Sequence, residues 1–279
     1  MISNIVSADW LIENLNLPNL VILDATLAKP KGMEPDVPKD VQIQGAKFFD
    51  IDSRFSDASI GLPHMMCDAE QFENAAQALG INNDSLVIVY DDHGVYSSPR
   101  AWWMLKSMGH KQVAVLNGGL PKWVQKNYPT EPKKNKSNKG NGNFKATYER
   151  GCFVNAEYIF EHLDDEDILV LDARSKGRFD AIEPEPRAGL RGGHIPNSVN
   201  IPFPEVLSNG LVLKSKNELK SVFNQYDLRD KKRLVFSCGS GLTACIVLLA
   251  AHIAGYEDLT VYDGSWSEWG QPSDLPVEA

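Results

Sequence analysis

The chain has 279 residues and a formal net charge of −9, from 28 Lys and Arg against 37 Asp and Glu. This length suits two domains of ~130 residues, and the acidic balance argues against a nucleic-acid partner. No apolar run approaches the roughly 18–20 residues of a membrane span, and the N-terminus lacks the features of a secretion signal, so we expect a cytoplasmic protein without a membrane partner.

The four cysteines, at positions 67, 152, 238 and 245, are too irregularly spaced for a disulfide framework in a chain of this length. No C-x2-C or H-x3-H pair occurs, so we expect no metal site. We expect no other cofactor either. A reducing cytosol fits this cysteine usage, and it would keep a reactive thiol available.

The first half alternates short apolar runs with longer segments of helical spacing. The runs predict strands at Leu20–Asp24, Leu86–Tyr90 and Val113–Leu116. The longer segments predict helices at Asp68–Leu79 and Pro99–Met108.

A polar segment at residues 131–147 separates the two halves. It is rich in lysine, asparagine and glycine, and such a composition buries too little apolar surface to offset its ordering entropy. We therefore expect an exposed linker between domains at 1–130 and 148–279. Its lysines leave nucleic-acid binding open as an alternative.

The second half repeats the alternation. It predicts strands at Ile168–Asp172, Arg233–Ser237 and Leu259–Tyr262, and helices at Asn155–Leu163, Lys216–Tyr226 and Thr243–Ala254. Continuous apolar strands separated by helices are typical of parallel sheets covered on both faces. The predicted fold class is therefore α/β, with two tandem domains that each have a central, mostly parallel sheet flanked by helices. Binding chemistry is expected at the carboxyl ends of the strands.

Internal similarity supports a duplication. Leu116–Trp123 resembles Tyr262–Trp269, at a spacing of 146 residues between Leu116 and Tyr262, and Val21–Ala25 resembles Leu169–Ala173. Without gaps, Asp92 of the first half lies opposite Cys238 of the second; with a slip of one residue, Asp91 does. Either way the first half has lost the cysteine.

Cys238 follows a predicted strand and heads a loop, Gly239–Thr243, that leads into an apolar helix. Loop amides and the positive end of a helix stabilise an anion, which favours the reactive thiolate. Glycines at 239 and 241 let the backbone approach the sulfur, and Ser240 and Thr243 add hydroxyl donors. The alternative is a buried core cysteine, which is our interpretation of Cys245.

Several motifs resemble those of the tandem-domain rhodanese-like sulfurtransferases. They are Gly45–Asp52, Leu62–Met65, Ser98–Trp103, Arg178-Phe179, Pro184–Arg187, Gly193–Pro196, Cys238–Ala244 and Ser265–Trp269. The resemblance covers nearly the whole chain and implies two rhodanese-like domains, the second of them catalytic. Gly239 and Ser240 stand where thiosulfate-preferring members carry Arg and Lys, so the resemblance implies 3-mercaptopyruvate as sulfur donor.

The resemblance also implies roles for individual residues. Arg178 and Arg187 would bind the donor's carboxylate, with a surface salt bridge as the alternative for each. Ser240, His64 and Asp52 would form a proton relay, with a structural turn as the alternative for His64. Gly239, Gly241, Leu242 and Thr243 would complete the substrate loop. Sulfur would pass through a Cys238 persulfide to cyanide, a small thiol or thioredoxin.

Three rival functions remain open at the level of sequence. One is the same transfer with thiosulfate as donor. A second is a cysteine phosphatase, which needs an arginine where this chain has Ala244. The third is a non-catalytic persulfide carrier, which has no need of arginines around a small-molecule site. An internal duplication makes a working monomer the expected state.

Overall fold

The structure is a computed structural model that describes residues 2–27, 37–38, 40–133, 140–226, 228 and 231–279. The chain divides into two compact units. The first comprises Met1–Asp57, Met66–Glu149 and Asn209–Leu213; the second comprises Ala58–Met65, Arg150–Ser208 and Lys214–Ala279. Within these described ranges, no helix has the length and apolar character needed to cross a bilayer.

The part of the first unit up to Glu149 contains seven strands and four α-helices among its described residues. The strands are β1 (Ile5–Val6), β2 (Leu20–Asp24), β3 (Val41–Ile43), β4 (Lys47–Phe48), β5 (Leu86–Tyr90), β6 (Val113–Leu116) and β7 (Thr130–Pro132). The helices are α1 (Ala8–Asn14), α2 (Ala69–Ala78), α3 (Ser98–Ser107) and α4 (Gly119–Gln125).

A five-stranded parallel sheet organises this unit, in the order β1-β6-β5-β2-β4. Strands β5 and β6 are buried along their whole length, as continuous apolar runs in a covered parallel sheet should be. The three predicted strands are confirmed with the same bounds. The two predicted helices are confirmed within one residue, and Asp68 caps α2 by accepting the Gln71 amide.

The segment predicted as an exposed linker is partly packed. Thr130–Pro132 pairs with β3 in an antiparallel ladder. Phe144 is only 2% exposed, and its ring meets Phe72 edge to face. The expectation of an exposed linker is therefore wrong at these positions, because one aromatic side chain anchors an otherwise polar stretch. The predicted lysine run at 134–139 lies outside the described residues, and the domain boundaries stay a prediction.

The second unit has the same kind of architecture. Its strands are β8 (Phe153–Val154), β9 (Ile168–Asp172), β10 (Val199–Asn200), β11 (Leu207–Ser208), β13 (Arg233–Ser237) and β14 (Leu259–Tyr262). Strand β12 (Val212–Leu213), which follows β11 in the chain, belongs to the first unit. The helices are α5 (Ala156–Glu161), α6 (Lys176–Phe179), α7 (Lys216–Phe223), α8 (Ala244–Ala254) and α9 (Ser265–Trp269).

The main sheet of the second unit is also five-stranded and parallel, in the order β10-β9-β13-β14-β8. Its three predicted strands are confirmed with the same bounds. The predicted helices correspond to α5, α7 and α8, although α5 and α7 end earlier than predicted. Helix α8 is buried on nearly every side and ends at Gly255, whose φ of +115° suits glycine.

The two sheets have the same strand order when the second is taken from its other edge, as an internal duplication predicts. Strand register fixes the alignment, because Asp24 pairs with Tyr90 in the first sheet and Asp172 with Ser237 in the second. Tyr90 thus corresponds to Ser237, and Asp91 to Cys238. The slip of one residue is therefore right, and the ungapped alignment of Asp92 with Cys238 is wrong.

Candidate active site in the second unit

Cys238 lies at the carboxyl end of β13, and its loop runs through Thr243 into the first residue of α8. The predicted order of strand, glycine loop and helix is confirmed. Cys238 is 1% exposed, and none of the four cysteines forms a disulfide bond. Gly241 has a φ of +69°, in the left-handed region, which lets the loop turn sharply beneath the sulfur.

Ser265, the first residue of α9, anchors the loop from behind. Its hydroxyl oxygen accepts the amide N–H of Cys238 at 3.2 Å and that of Gly241 at 3.0 Å, and it donates to the Tyr262 carbonyl at 2.8 Å. The amides of the next two residues of α9 donate to the carbonyls of Cys238 and Gly239 at 2.9 Å. The start of α9 therefore fixes the backbone that carries Cys238.

Other donors of the loop are left available. Within the described part of the chain, the amides of Gly239, Ser240, Leu242 and Thr243 have no hydrogen-bond acceptor. The hydroxyl of Ser240 has none either, although this residue is only 8% exposed. Thr243 precedes α8 without capping it through its side chain. Unpaired donors around a helix start are the groups that bind an anion in other proteins.

Two guanidinium groups meet over Gly239. A methyl group placed on this glycine would lie 3.2 Å from Nη2 of Arg178 and 3.7 Å from Nη1 of Arg187. The structure thus brings both predicted arginines to the residue that follows Cys238. A side chain longer than hydrogen at position 239 would crowd them, so Gly239 leaves room for the pair.

The two arginines differ in their partners. Arg178 binds the Glu185 carboxylate with two of its nitrogens, at 3.1 and 2.5 Å. Arg187 is exposed, and no described residue forms a hydrogen bond or an ion pair with its guanidinium. Its charge is therefore free to bind an anionic ligand such as a carboxylate.

The first unit shows what such a loop does with an anion of its own. Oδ2 of Asp91, the counterpart of Cys238, accepts the amides of Tyr96, Ser97 and Ser98 at 2.8, 3.0 and 2.9 Å and the Ser98 hydroxyl at 2.6 Å. Asp91 is completely buried. A loop at this place in the fold can therefore enclose a negative charge with backbone donors.

The predicted relay residues are divided between the two units. His64 belongs to the second unit, together with Ser240, whereas Asp52 belongs to the first. His64 has a φ of 62°, uncommon for a residue with a side chain, and Asp52 is exposed in a turn. The relay and the other role assignments stay predictions.

Two of the other cysteines, Cys67 and Cys245, lie in surroundings that suit structural roles. Burial raises the pKa of the Cys67 thiol to about 12, so it is protonated at neutral pH. Cys245 is buried in α8, and its thiol donates to the Gly241 carbonyl at 3.3 Å. No described group of three or more His, Cys, Asp or Glu is placed to hold a metal ion.

Sequence reasoning missed two residues that shape the site, Ser265 and Glu185. Both stood inside motifs that were singled out, but their contacts come from distant parts of the chain. Ser265 has a φ of 49°, and its counterpart in the first unit, Gly119, has a φ of 50°. A serine where the repeat has glycine was the available signal, since it tolerates this backbone only with a compensating interaction.

Comparison with known proteins agrees with this geometry. The family model for the rhodanese-like domain matches residues 7–126 and again 155–272. A 3-mercaptopyruvate sulfurtransferase from Mus musculus is 42% identical over 286 residues, covering 98% of this chain and 95% of the relative. A thiosulfate/3-mercaptopyruvate sulfurtransferase from Arabidopsis thaliana is 38% identical, covering 99% of this chain and 78% of the relative.

A solved structure gives the same result. The crystal structure of SseA from Escherichia coli, one of the 3-mercaptopyruvate sulfotransferases, superposes with a TM-score of 0.82 at 36% identity. The match covers 96% of this chain and all of that one. The duplicated parallel sheet and the two matches of the family model define the class, and the chain belongs to the rhodanese-like family of sulfurtransferases.

Proposed function

We propose that this enzyme transfers sulfur from 3-mercaptopyruvate to a thiophilic acceptor through a persulfide on Cys238. The observation that carries the proposal is the pair of guanidinium groups over Gly239. They lie beside a cysteine loop in which the amides of Gly239, Ser240, Leu242 and Thr243 have no acceptor among the described residues. The arginines suit the carboxylate of an α-keto acid, and the amides suit an anionic sulfur.

In the first half-reaction, the Cys238 thiolate attacks the sulfur of 3-mercaptopyruvate. The bond between the two sulfurs forms as the carbon–sulfur bond breaks, and the electron pair leaves on the enolate of pyruvate. The proton of the donor's thiol ends on the methyl carbon of pyruvate, so charge and atoms balance. The amides of Gly239 and Ser240, which have no acceptor among the described residues, are the groups that we propose stabilise the remaining persulfide anion.

In the second half-reaction, an acceptor attacks the outer sulfur and restores the Cys238 thiolate. Cyanide leaves as thiocyanate, and a thiol leaves as a persulfide of its own. A dithiol such as thioredoxin releases sulfide as it closes to a disulfide. We propose a thiol or thioredoxin as the acceptor in the cell, because a reducing compartment supplies both.

Proton transfer in the first step needs a base and an acid near the donor. We propose Ser240 and His64 for this role, with Asp52 orienting the imidazole. Ser240 is 8% exposed, and its hydroxyl has no hydrogen-bond acceptor among the described residues, which supports a role toward a bound molecule. Loss of the pH dependence of kcat in His64→Asn, with KM unchanged, is the expected signature of such a relay.

Mass spectrometry and multiple-turnover kinetics test the proposal together. Exposure to 3-mercaptopyruvate should add one sulfur atom to the peptide that contains Cys238, and cyanide should remove it with release of thiocyanate. Cys238→Ser should lose both the adduct and turnover, whereas Cys152→Ser should keep both. Ordinary turnover by Cys238→Ser would exclude the persulfide mechanism.

Thiosulfate is the second candidate donor, since the relative from Arabidopsis thaliana is named for both donors. The ratio of kcat/KM for the two donors decides between them. We propose 3-mercaptopyruvate, because Gly239 and Ser240 add no cation beside Cys238 for a dianion.

We also propose a monomeric protein in a reducing, cytoplasmic location. The duplicated sheet supports the first proposal, and the four free cysteines support the second. Light scattering of the purified chain and cell fractionation test them; a dimer, or recovery with an organelle fraction, would contradict the respective proposal.

A further inference from the structure

Glu185 is a buried carboxylate that binds two arginines next to the Cys238 loop. Its side chain is 3% exposed. Oε1 accepts Nη1 of Arg174 at 2.8 Å and Nε of Arg178 at 3.1 Å, while Oε2 accepts Nη2 of Arg178 at 2.5 Å. This two-pronged contact fixes the plane of the Arg178 guanidinium and cancels its charge.

Arg174, the other arginine that binds Glu185, also forms an ion pair with Asp172. Nη2 of Arg174 lies 2.7 Å from Oδ2 of Asp172, and its guanidinium stacks on the Trp266 ring at 4.1 Å. Both side chains of this ion pair are at most 2% exposed. Among the described residues, the hydrogen-bonded network linked to Arg178, taken together with Arg187, consists of three guanidinium groups and two carboxylates. Its net charge is one positive unit, and the guanidinium without a partner is Arg187.

We propose that Glu185 determines the charge of the sulfur donor that this site accepts. With Glu185 in place, the site offers a fixed but neutralised Arg178 and the single free charge of Arg187. Such a site suits a donor with one negative charge. A dianion has a second negative charge, which loses its hydration on entering the site and meets no further unpaired cation in the described network. Glu185 acts through Arg178, so it is a positioning residue. This inference rests on the proposed function, because it concerns the choice between two donors at the same cysteine.

The physical reason is the asymmetry of the two arginines. If both guanidinium groups were unpaired, the site would carry two positive charges and would attract thiosulfate in preference to a monocarboxylate. Glu185 pairs with Arg178, and its side chain is only 3% exposed. Because solvent screens charges poorly at such a buried position, this pairing removes the preference for thiosulfate. The guanidinium keeps its remaining N–H groups for hydrogen bonds to the donor.

Glu185→Gln is the direct test, because it removes the negative charge and keeps the shape. We expect the ratio of kcat/KM for thiosulfate to that for 3-mercaptopyruvate to rise by about tenfold or more, with the loss on 3-mercaptopyruvate residing in KM. Glu183→Gln is the matched control, since Glu183 lies two residues away, is exposed and accepts only the Ser175 hydroxyl at 2.8 Å among the bonds described. Its donor ratio should equal that of the wild type.

A charge-restoring variant separates charge from structure. The double variant Arg178→Gln with Glu185→Gln has the wild-type net charge, so its donor ratio should return toward the wild-type value even though both rates fall. A ratio within twofold of the wild type in a folded Glu185→Gln would overturn the inference. So would a double variant whose ratio stays as high as that of the single variant.

Inhibition of the wild-type enzyme gives a test that does not depend on folding of a variant. Pyruvate carries one negative charge and oxalate carries two at neutral pH. We expect oxalate to compete with 3-mercaptopyruvate no more tightly than pyruvate does, and an inhibition constant tenfold lower for oxalate would overturn the inference. A wild type that prefers thiosulfate refutes the proposed donor, whereas an unchanged ratio in Glu185→Gln of an enzyme that prefers 3-mercaptopyruvate refutes only the role of Glu185.

Discussion

Replacing Ser265 by alanine should weaken the backbone that carries Cys238. The hydroxyl of this fully buried residue accepts two amides, of Cys238 and Gly241, and donates to the Tyr262 carbonyl. Alanine leaves both amides buried without an acceptor, and each such loss costs about 1–3 kcal/mol. Alanine also keeps the unfavourable φ of 49° without the hydrogen bonds that offset it. We expect the two unpaired amides together to lower the free energy of unfolding by about 2–6 kcal/mol.

Urea unfolding followed by tryptophan fluorescence measures the change, because Trp266 and Trp269 lie in the same short helix and are buried. Ser221→Ala is the matched control: this exposed serine donates only to the Asn217 carbonyl, one turn earlier in its helix. It should change stability by less than about 0.5 kcal/mol. A loss in Ser265→Ala no larger than in the control would refute the view that Ser265 anchors the loop. We also expect kcat to fall in Ser265→Ala more than KM rises, since the sulfur is displaced rather than the arginines.

Three further predictions concern single residues. Arg187→Ala should raise KM for 3-mercaptopyruvate by about 10–100-fold with little change in kcat, because a charge-assisted hydrogen bond contributes about 1.5–3 kcal/mol; steady-state kinetics measure this, and an unchanged KM removes Arg187 from the carboxylate site. Asp91→Ala should lower the free energy of unfolding by more than about 3 kcal/mol, because it leaves the three amides that donate to Oδ2 without an acceptor. Chemical denaturation measures the change, and a loss below about 1 kcal/mol would contradict this prediction. Burial lowers the pKa of His110 below its usual 6.5, so at falling pH the unfolded chain binds the proton before the folded chain does. The free energy of unfolding should therefore fall as the pH drops below about 6.5, by at most about 1.4 kcal/mol per pH unit. Urea titrations at several pH values measure this dependence, and His110→Asn should flatten it. An equally steep dependence in that variant would assign the effect to other groups.

The sequence was most informative about buried strands. The six longest strands were predicted with their bounds, because in a covered parallel sheet both faces are apolar and each strand is an uninterrupted run. Two-residue strands such as β8 and β10 were not predicted. They are too short for any periodicity and form only because a neighbouring strand offers hydrogen-bond partners.

The loop around Cys238 was predicted from local features, a strand followed by glycines and an apolar helix. The contacts that support it were not, because they join residues far apart in sequence. Ser265 binds the amide of a residue 27 positions earlier. The counterpart of Cys238 was left open between Asp91 and Asp92. A difference of one residue in loop length cannot be located from the sequence, and only the strand register fixes it.

Phe144 shows the limit of reasoning from composition. Averaged over residues 131–147, the segment is polar enough to be exposed, yet one ring is buried against Phe72 and His110. A single anchor residue can hold a polar stretch against a domain, and averages over a window conceal it.

The carboxylate of Asp91 has a consequence for how a duplicated protein can shed one of its two reactive centres. A copy that lost only its sulfur would leave several backbone N–H groups of this loop without an acceptor, which destabilises the loop. Because the Asp91 side chain accepts these donors itself, the first copy keeps the loop closed without a bound ligand. Replacing one cysteine by aspartate can therefore remove the reactive centre from one half of a duplicated protein and leave its fold intact.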